Sequence, residues 1–198
     1  PVLAGNPRLI TYKYFFNRKV AFLKEAHAVA LFPGGFGTLD EAMETLTLVQ
    51  TGKRDPLPLV LIDEPGGSYW KAWMRFFEEE MLTRGYVSRS DFDLFERVES
   101  IEAAVEKIKH FYKRYHSLRY VDDRLVVRLL SPLEPYQVRD LQERFRDMLT
   151  TGGGMELSSA DEAEAGEEEI IRLPRLVVDF NRRDFGRLRN LINAINEY

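Results

Sequence analysis

The chain has 198 residues, 44% hydrophobic and 30% charged, a composition that suits one medium or two small globular domains. Its 28 basic and 32 acidic residues leave a formal charge of −4, which excludes the bulk basic field of a nucleic-acid or anionic-membrane binder. It has no cysteine, which excludes disulfides, thiolate nucleophiles and cysteine metal sites and fits an expected cytoplasmic location.

The opening PVLAGNPRLI lacks the basic and apolar regions of a signal peptide and has no initiator Met, so the chain is expected to continue a longer protein. No apolar run approaches the roughly 20 residues that span a bilayer. Residues 10–15 (ITYKYF) alternate like a short strand, and 16–26 carry apolar side chains at helical spacing. The run AVALF at 28–32 suits a strand buried on both faces. A glycine turn follows, then a helix over 39–51 that ends near Gly52. PLVLI at 58–62 reads as a second buried strand, 69–83 as an aromatic-rich helix, 95–98 as a strand and 101–115 as a helix. Strands alternating with such helices predict an α/β fold, a Rossmann-like parallel sheet with helices on both faces. The visible strands are few for a doubly wound sheet, so its N-terminal half is expected upstream of Pro1.

Past Ser117 the spacing changes. A strand over 124–130, a helix over 135–149 opened by Pro135, a strand over 176–180 and a helix over 184–197 predict a small C-terminal β-α-β-α unit. Between them, residues 150–169 (TTGGGMELSSADEAEAGEEE) have the composition of a disordered acidic loop. The expected division is thus residues 1–116 and 117–198, with the loop at about 150–170. A unit this small is expected to pack on its neighbour or on another subunit.

The turn between the first buried strand and its helix, Pro33-Gly34-Gly35-Phe36-Gly37-Thr38-Leu39-Asp40-Glu41, admits two readings. As plain structure it is a capping box, in which Thr38 caps the helix and Glu41 reaches back to its amide. As a site it is an anion cradle of unpaired amides at the positive end of a helix, with glycines that let a phosphate approach. The dinucleotide pattern fails because Asp40 stands where the third glycine belongs, and no Gly-Lys-Ser/Thr follows as a triphosphate loop requires. A single phosphate fits better.

Read together with Arg18-Lys19 on the preceding helix, this stretch resembles the signature P-G-G-x-G-T-x-x-E of the LOG ("lonely guy") family, many members of which carry the label "possible lysine decarboxylase". The resemblance runs over residues 9–115, through Glu44, Gln50-Thr51-Gly52-Lys53 and Gly66-Gly67-Ser68-Tyr69-Trp70. It implies a phosphoribohydrolase that cuts the N-glycosidic bond of nucleoside 5′-monophosphates, AMP or a cytokinin riboside 5′-monophosphate, without metal or cofactor. By the same resemblance Arg18 and Glu41 are catalytic. Lys19, Gly34, Gly35, Phe36, Gly37 and Thr38 bind the phosphate or nucleotide, and Glu44 is a further contact. It also implies a homodimer or higher homo-oligomer. His27 departs from the Asp that many relatives carry there, and the family's upstream glycine-rich loop has no counterpart before Arg18.

Other features have plainer readings. His27, His110 and His116 are too scattered to predict a metal site. Tyr12, Tyr14, Phe15, Trp70 and Trp73 are expected in the core. Lys19, Lys24 and Lys53 lack the context of a Schiff-base lysine, which argues against decarboxylation. The rival function is a non-catalytic nucleotide-binding sensor or carrier.

Overall fold

The computed structural model describes residues 5–7, 9–158 and 168–198. Helix α1 spans Phe15–Glu25 and leads into strand β1, Val29–Leu31. Helix α2, Phe36–Gln50, returns the chain to β2, Leu59–Ile62, all four of whose residues are buried. Helix α3, Tyr69–Phe76, runs on through a π-helical segment, Phe77–Leu82. A 3-10 helix at Arg89–Leu94 precedes β3, Glu96–Val98, and α4 spans Ile101–Phe111.

β2 lies between β1 and β3, and both pairings are parallel. Side chains alternate across a strand, so β2 serves two layers at once. Leu59 and Leu61 join Leu31, Ala42, Trp70, Phe77 and Phe95 on the side of α2 and α3. Val60 and Ile62 join Val98 and Ala104 on the side of α4. This is the expected parallel sheet with helices on both faces.

The second sheet is antiparallel, in the order β4-β5-β7-β6. Its strands are β4 (Tyr115–Val121), β5 (Arg124–Leu129), β6 (Met155–Ser158) and β7 (Arg175–Val178). Helix α5, Pro135–Arg144, starts at Pro135 under a Glu134–Gln137 capping box. The short α6, Glu168–Ile171, precedes β7, and α7, Phe185–Glu197, is capped by Asp184. Leu188, Leu191, Ile192 and Ile195 of α7 are fully buried against Leu125, Val127 and Leu129.

Several boundaries differ from the sequence expectation. Residues 10–14 form no strand, because their alternation finds no partner strand among the described residues; only Phe15 belongs to an element, as the first residue of α1. The helix expected over 101–115 stops at Phe111, and Tyr115 opens β4 instead, held by the Asn196 side chain on its amide at 3.0 Å. The expected acidic loop contains β6, whose backbone pairs with β7 from Met155↔Val178 to Ser158↔Arg175. Main-chain pairing and burial of Met155 outweigh the unfavourable composition there. Residues 159–167 of that loop lie outside the described residues. The C-terminal unit therefore has two strands, β4 and β6, beyond those expected.

This unit packs on the parallel sheet. A Cβ at Gly186 of α7 would run into the Ser90 carbonyl, and one at Gly52 into the Phe185 ring. Asp184 accepts from Ser90 at 3.1 Å, Asn190 donates to Asp93 at 2.7 Å, and Arg189, 2% exposed, reaches Glu96 at 3.1 Å.

Candidate active site

The carboxyl ends of parallel strands are where open α/β sheets bind ligands. Here β1 ends in the glycine turn, and a cavity of about 640 Å³ opens beside it. Pro33 borders it on the β1 side, Asp63, Glu64 and Tyr69 on the β2 side, and Glu99 and Ser100 on the β3 side.

Gly35, in extended conformation, is the N-cap of α2 and makes no side-chain cap bond. The expected capping box is therefore absent, and the helix begins at Phe36, three positions before the expected start at Leu39. Glycine serves well as an N-cap, and a cap at Gly35 places Thr38 inside the first turn. Thr38 donates its amide to the Gly35 carbonyl at 3.1 Å. The Phe36 and Gly37 amides head the helix, where no preceding turn supplies a carbonyl. Glycines make their approach open: a Cβ at Gly35 or Gly37 would meet nothing within 4 Å, whereas one at Gly34 would strike Thr38 Oγ1. The Phe36 ring is 94% exposed, so only its backbone faces the cradle's task.

α1 delivers its side chains to α2. Lys19 is buried, and its ammonium lies 2.5 Å from Asp40, 2.9 Å from Glu44 and 3.9 Å from Glu41. Residues 40, 41 and 44 share one face of α2 by helical spacing, so one cation serves all three carboxylates. Asp40 first and then Glu44 hold the Lys19 ammonium well above the ordinary lysine range. The sequence brought Lys19 toward a phosphate; its ammonium is directed at carboxylates. Arg18 is exposed and lines a separate shallow cavity of about 360 Å³ with Ile10, Thr11, Tyr12 and Tyr14. Tyr12 and Tyr14 are thus surface residues and not core, while Trp70 is fully buried as expected and Trp73 packs on the same cluster. The side chain of Phe15 lies outside what is described.

Three residues outside the nine-residue signature shape this region. Tyr69 donates its hydroxyl to the Gly34 carbonyl at 2.6 Å and so ties the β2–α3 loop to the cradle. Asp63, whose side chain is 1% exposed, accepts from the Trp70 amide at 3.2 Å and from Arg97 at 3.1 Å. Glu99 accepts from the Gly66 amide at 3.0 Å and from Arg97 at 2.8 Å. That amide first, then Arg97 and Lys71, push the Glu99 carboxyl down to about 2. Position at a strand's carboxyl end is the one sequence signal that could have found Asp63 and Glu99.

The family model described as "possible lysine decarboxylase" matches residues 5–108, more than half of the chain. The chain belongs to this family, the LOG family. Three curated relatives match about half of the chain. Cytokinin riboside 5′-monophosphate phosphoribohydrolase LOG1 of Arabidopsis thaliana is 27% identical over 102 residues, 52% of this chain and 46% of its own length. LOG3 of the same plant is 26% identical over 96 residues, 48% of this chain and 42% of its own. The enzyme of that name from Mycobacterium marinum is 30% identical over 100 residues, half of each chain. The chain spans about half the length of the curated relatives it matches. Among the described residues of this LOG-family chain, no helix is long and apolar enough to cross a membrane.

Proposed function

We propose that this LOG-family chain belongs to a nucleoside 5′-monophosphate phosphoribohydrolase, which releases a free base and ribose 5-phosphate from AMP or a cytokinin riboside 5′-monophosphate. One observation carries the reading: the helix whose open N-terminus forms the cradle also carries Glu41, within 3.9 Å of the buried Lys19 ammonium. The 5′-phosphate takes the Phe36 and Gly37 amides, where helix dipole and backbone donors coincide. The ribose then lies along the first turns of α2 and the base enters the neighbouring cavity.

The C1′–N bond breaks with its electron pair moving to the base, which is protonated from solvent. The sugar passes through an oxocarbenium-like state, which the Glu41 carboxylate stabilises. Water adds to C1′ and gives its proton to Glu41. Lys19 keeps Glu41, Asp40 and Glu44 from repelling one another and sets the direction of the Glu41 side chain. Arg18, with its planar fork, reaches for the phosphate from the rim. Exposed Phe16 and Val20 on α1 support a homo-oligomer, and residues 117–198 act as an accessory domain.

The test is to incubate the intact protein with AMP and with an N6-substituted adenosine monophosphate and to separate the products. Release of base supports the reading. Nucleotide binding by calorimetry with no base released would make the protein a non-catalytic sensor instead.

A further inference from the structure

A further cavity, of about 400 Å³, opens at the opposite end of the parallel strands. His27, just before β1, and Arg54 and Asp55, just before β2, form one wall; Tyr112, His116 and Ser117, from the end of α4 and the start of β4, form the other. Its volume suits a small metabolite, and its walls come from both sheets.

Arg54 occupies a junction. Its guanidinium donates to the Lys24 carbonyl at 3.0 Å and to the Ala26 carbonyl at 2.5 Å, at the C-terminal end of α1. Its own amide donates to the Leu48 carbonyl of α2 at 3.0 Å. One residue therefore clamps together the helix that carries Arg18 and Lys19 and the helix that carries Glu41. Across the cavity, Arg128 donates to Ser117 Oγ at 3.2 Å, and that hydroxyl lies 2.8 Å from His116 Nδ1. With Nδ1 accepting the serine proton, Nε2 is left as an N–H donor. Partial desolvation against the cavity wall first, and then the Arg128 charge, lower the His116 imidazole below its ordinary value. The acidic wall residue, Asp55, has its carboxyl raised above the ordinary range, by burial first, with the neighbouring Arg54 charge acting the other way.

We propose that this cavity binds a small oxyanion, the phosphate or carboxylate group of a metabolite, through Arg54 and His116, and that occupancy draws Arg54 away from the α1 carbonyls. A guanidinium fork pairs better with an oxyanion than with two separate carbonyls. Loosening the α1–α2 clamp then lowers turnover. The binding stands apart from the glycosidase; only its effect on turnover rests on that reading.

The experiment follows the imidazole Cε1–H signals of the three histidines by NMR at fixed pH and ionic strength. Sodium phosphate and sodium malonate are titrated separately against a sodium chloride control. His110, exposed on α4 and outside the cavity, is the internal reference. The expected result is a saturable shift at His27 and His116 with His110 still. Saturation by phosphate alone assigns a phosphate ester, and by malonate alone a carboxylate. Arg54→Gln should weaken the apparent affinity at least tenfold. The exposed substitution His116→Ala, which leaves the Arg54 clamp in place, should weaken the shift at His27 and carries the test if Arg54→Gln does not fold. Non-saturating shifts with both anions, equal movement of His110, or unchanged affinity in a folded variant would overturn the proposal. None of these readouts involves base release, so failure here is separate from failure of the glycosidase reading.

Discussion

The Lys19 ammonium of α1 sits 2.5 Å from the Asp40 carboxylate of α2, joining residues 21 positions apart in sequence. Glu41 lies on the same cation at 3.9 Å and Glu44 at 2.9 Å. Lys19→Met removes the charge that all three acids share. We expect turnover to fall about 10²-fold, the effect of displacing a catalytic group by roughly an ångström, together with a lower denaturation midpoint. Unchanged turnover in a folded variant would separate Lys19 from the positioning of Glu41.

Gly37→Ala separates the cradle's structural and functional roles. The added methyl meets nothing within 4 Å, and alanine favours a helix by about 0.5–1 kcal/mol over glycine. The variant should be at least as stable as the parent. The methyl also occupies the approach to the amides, so KM for a nucleoside 5′-monophosphate should rise about tenfold or more, equivalent to about 1.4 kcal/mol. Denaturation and initial-rate measurements on one preparation decide it. Equal KM would remove the phosphate from this helix end.

Gly186→Ala tests the seam between the two sheets. Its Cβ would meet the Ser90 backbone carbonyl, which cannot swing aside as a side chain does. Overpacking of this kind costs about 1–3 kcal/mol. We predict a loss in that range by urea denaturation. No change would mean that α7 and the 3-10 helix at Arg89–Leu94 slide freely past one another.

The Glu99 carboxyl, lowered from 4.5 to about 2 by the Gly66 amide, Arg97 and Lys71, makes the rim of the larger cavity sensitive to acid. A carboxyl whose folded value is depressed adds stability above its unfolded value and loses it as pH falls toward the folded one. The contribution should be complete above about pH 4.5 and disappear toward pH 2. Stability measured across that window should fall less steeply in Glu99→Gln than in the parent. Identical slopes would show that the Gly66–Glu99 contact contributes nothing to folding.

The parallel sheet was readable because AVALF and PLVLI are short apolar runs flanked by turn residues, a pattern that needs no partner to be seen. The start of α2 was not, because Thr38 and Glu41 imitate a capping box while a glycine with no side-chain signal does the capping. β4 and β6 escaped notice for a related reason. His116, Arg119 and the acids around Met155 break the apolar pattern, and only the neighbouring strands β5 and β7 make these segments extended. Arg18, Glu41 and the cradle glycines were legible as a motif. The Lys19–Asp40 pair and the Tyr69–Gly34 bond were not, since each joins segments that only the fold brings together.

Base release from AMP by the parent and by Glu41→Gln, followed by chromatography, tests the central claim most directly. The parent should liberate adenine and ribose 5-phosphate in equal amounts. Glu41→Gln should still bind nucleotide yet release base at least about 10²-fold more slowly, the usual scale for losing a general base. A folded parent that releases no base, or a Glu41→Gln variant that matches its rate, would contradict the account.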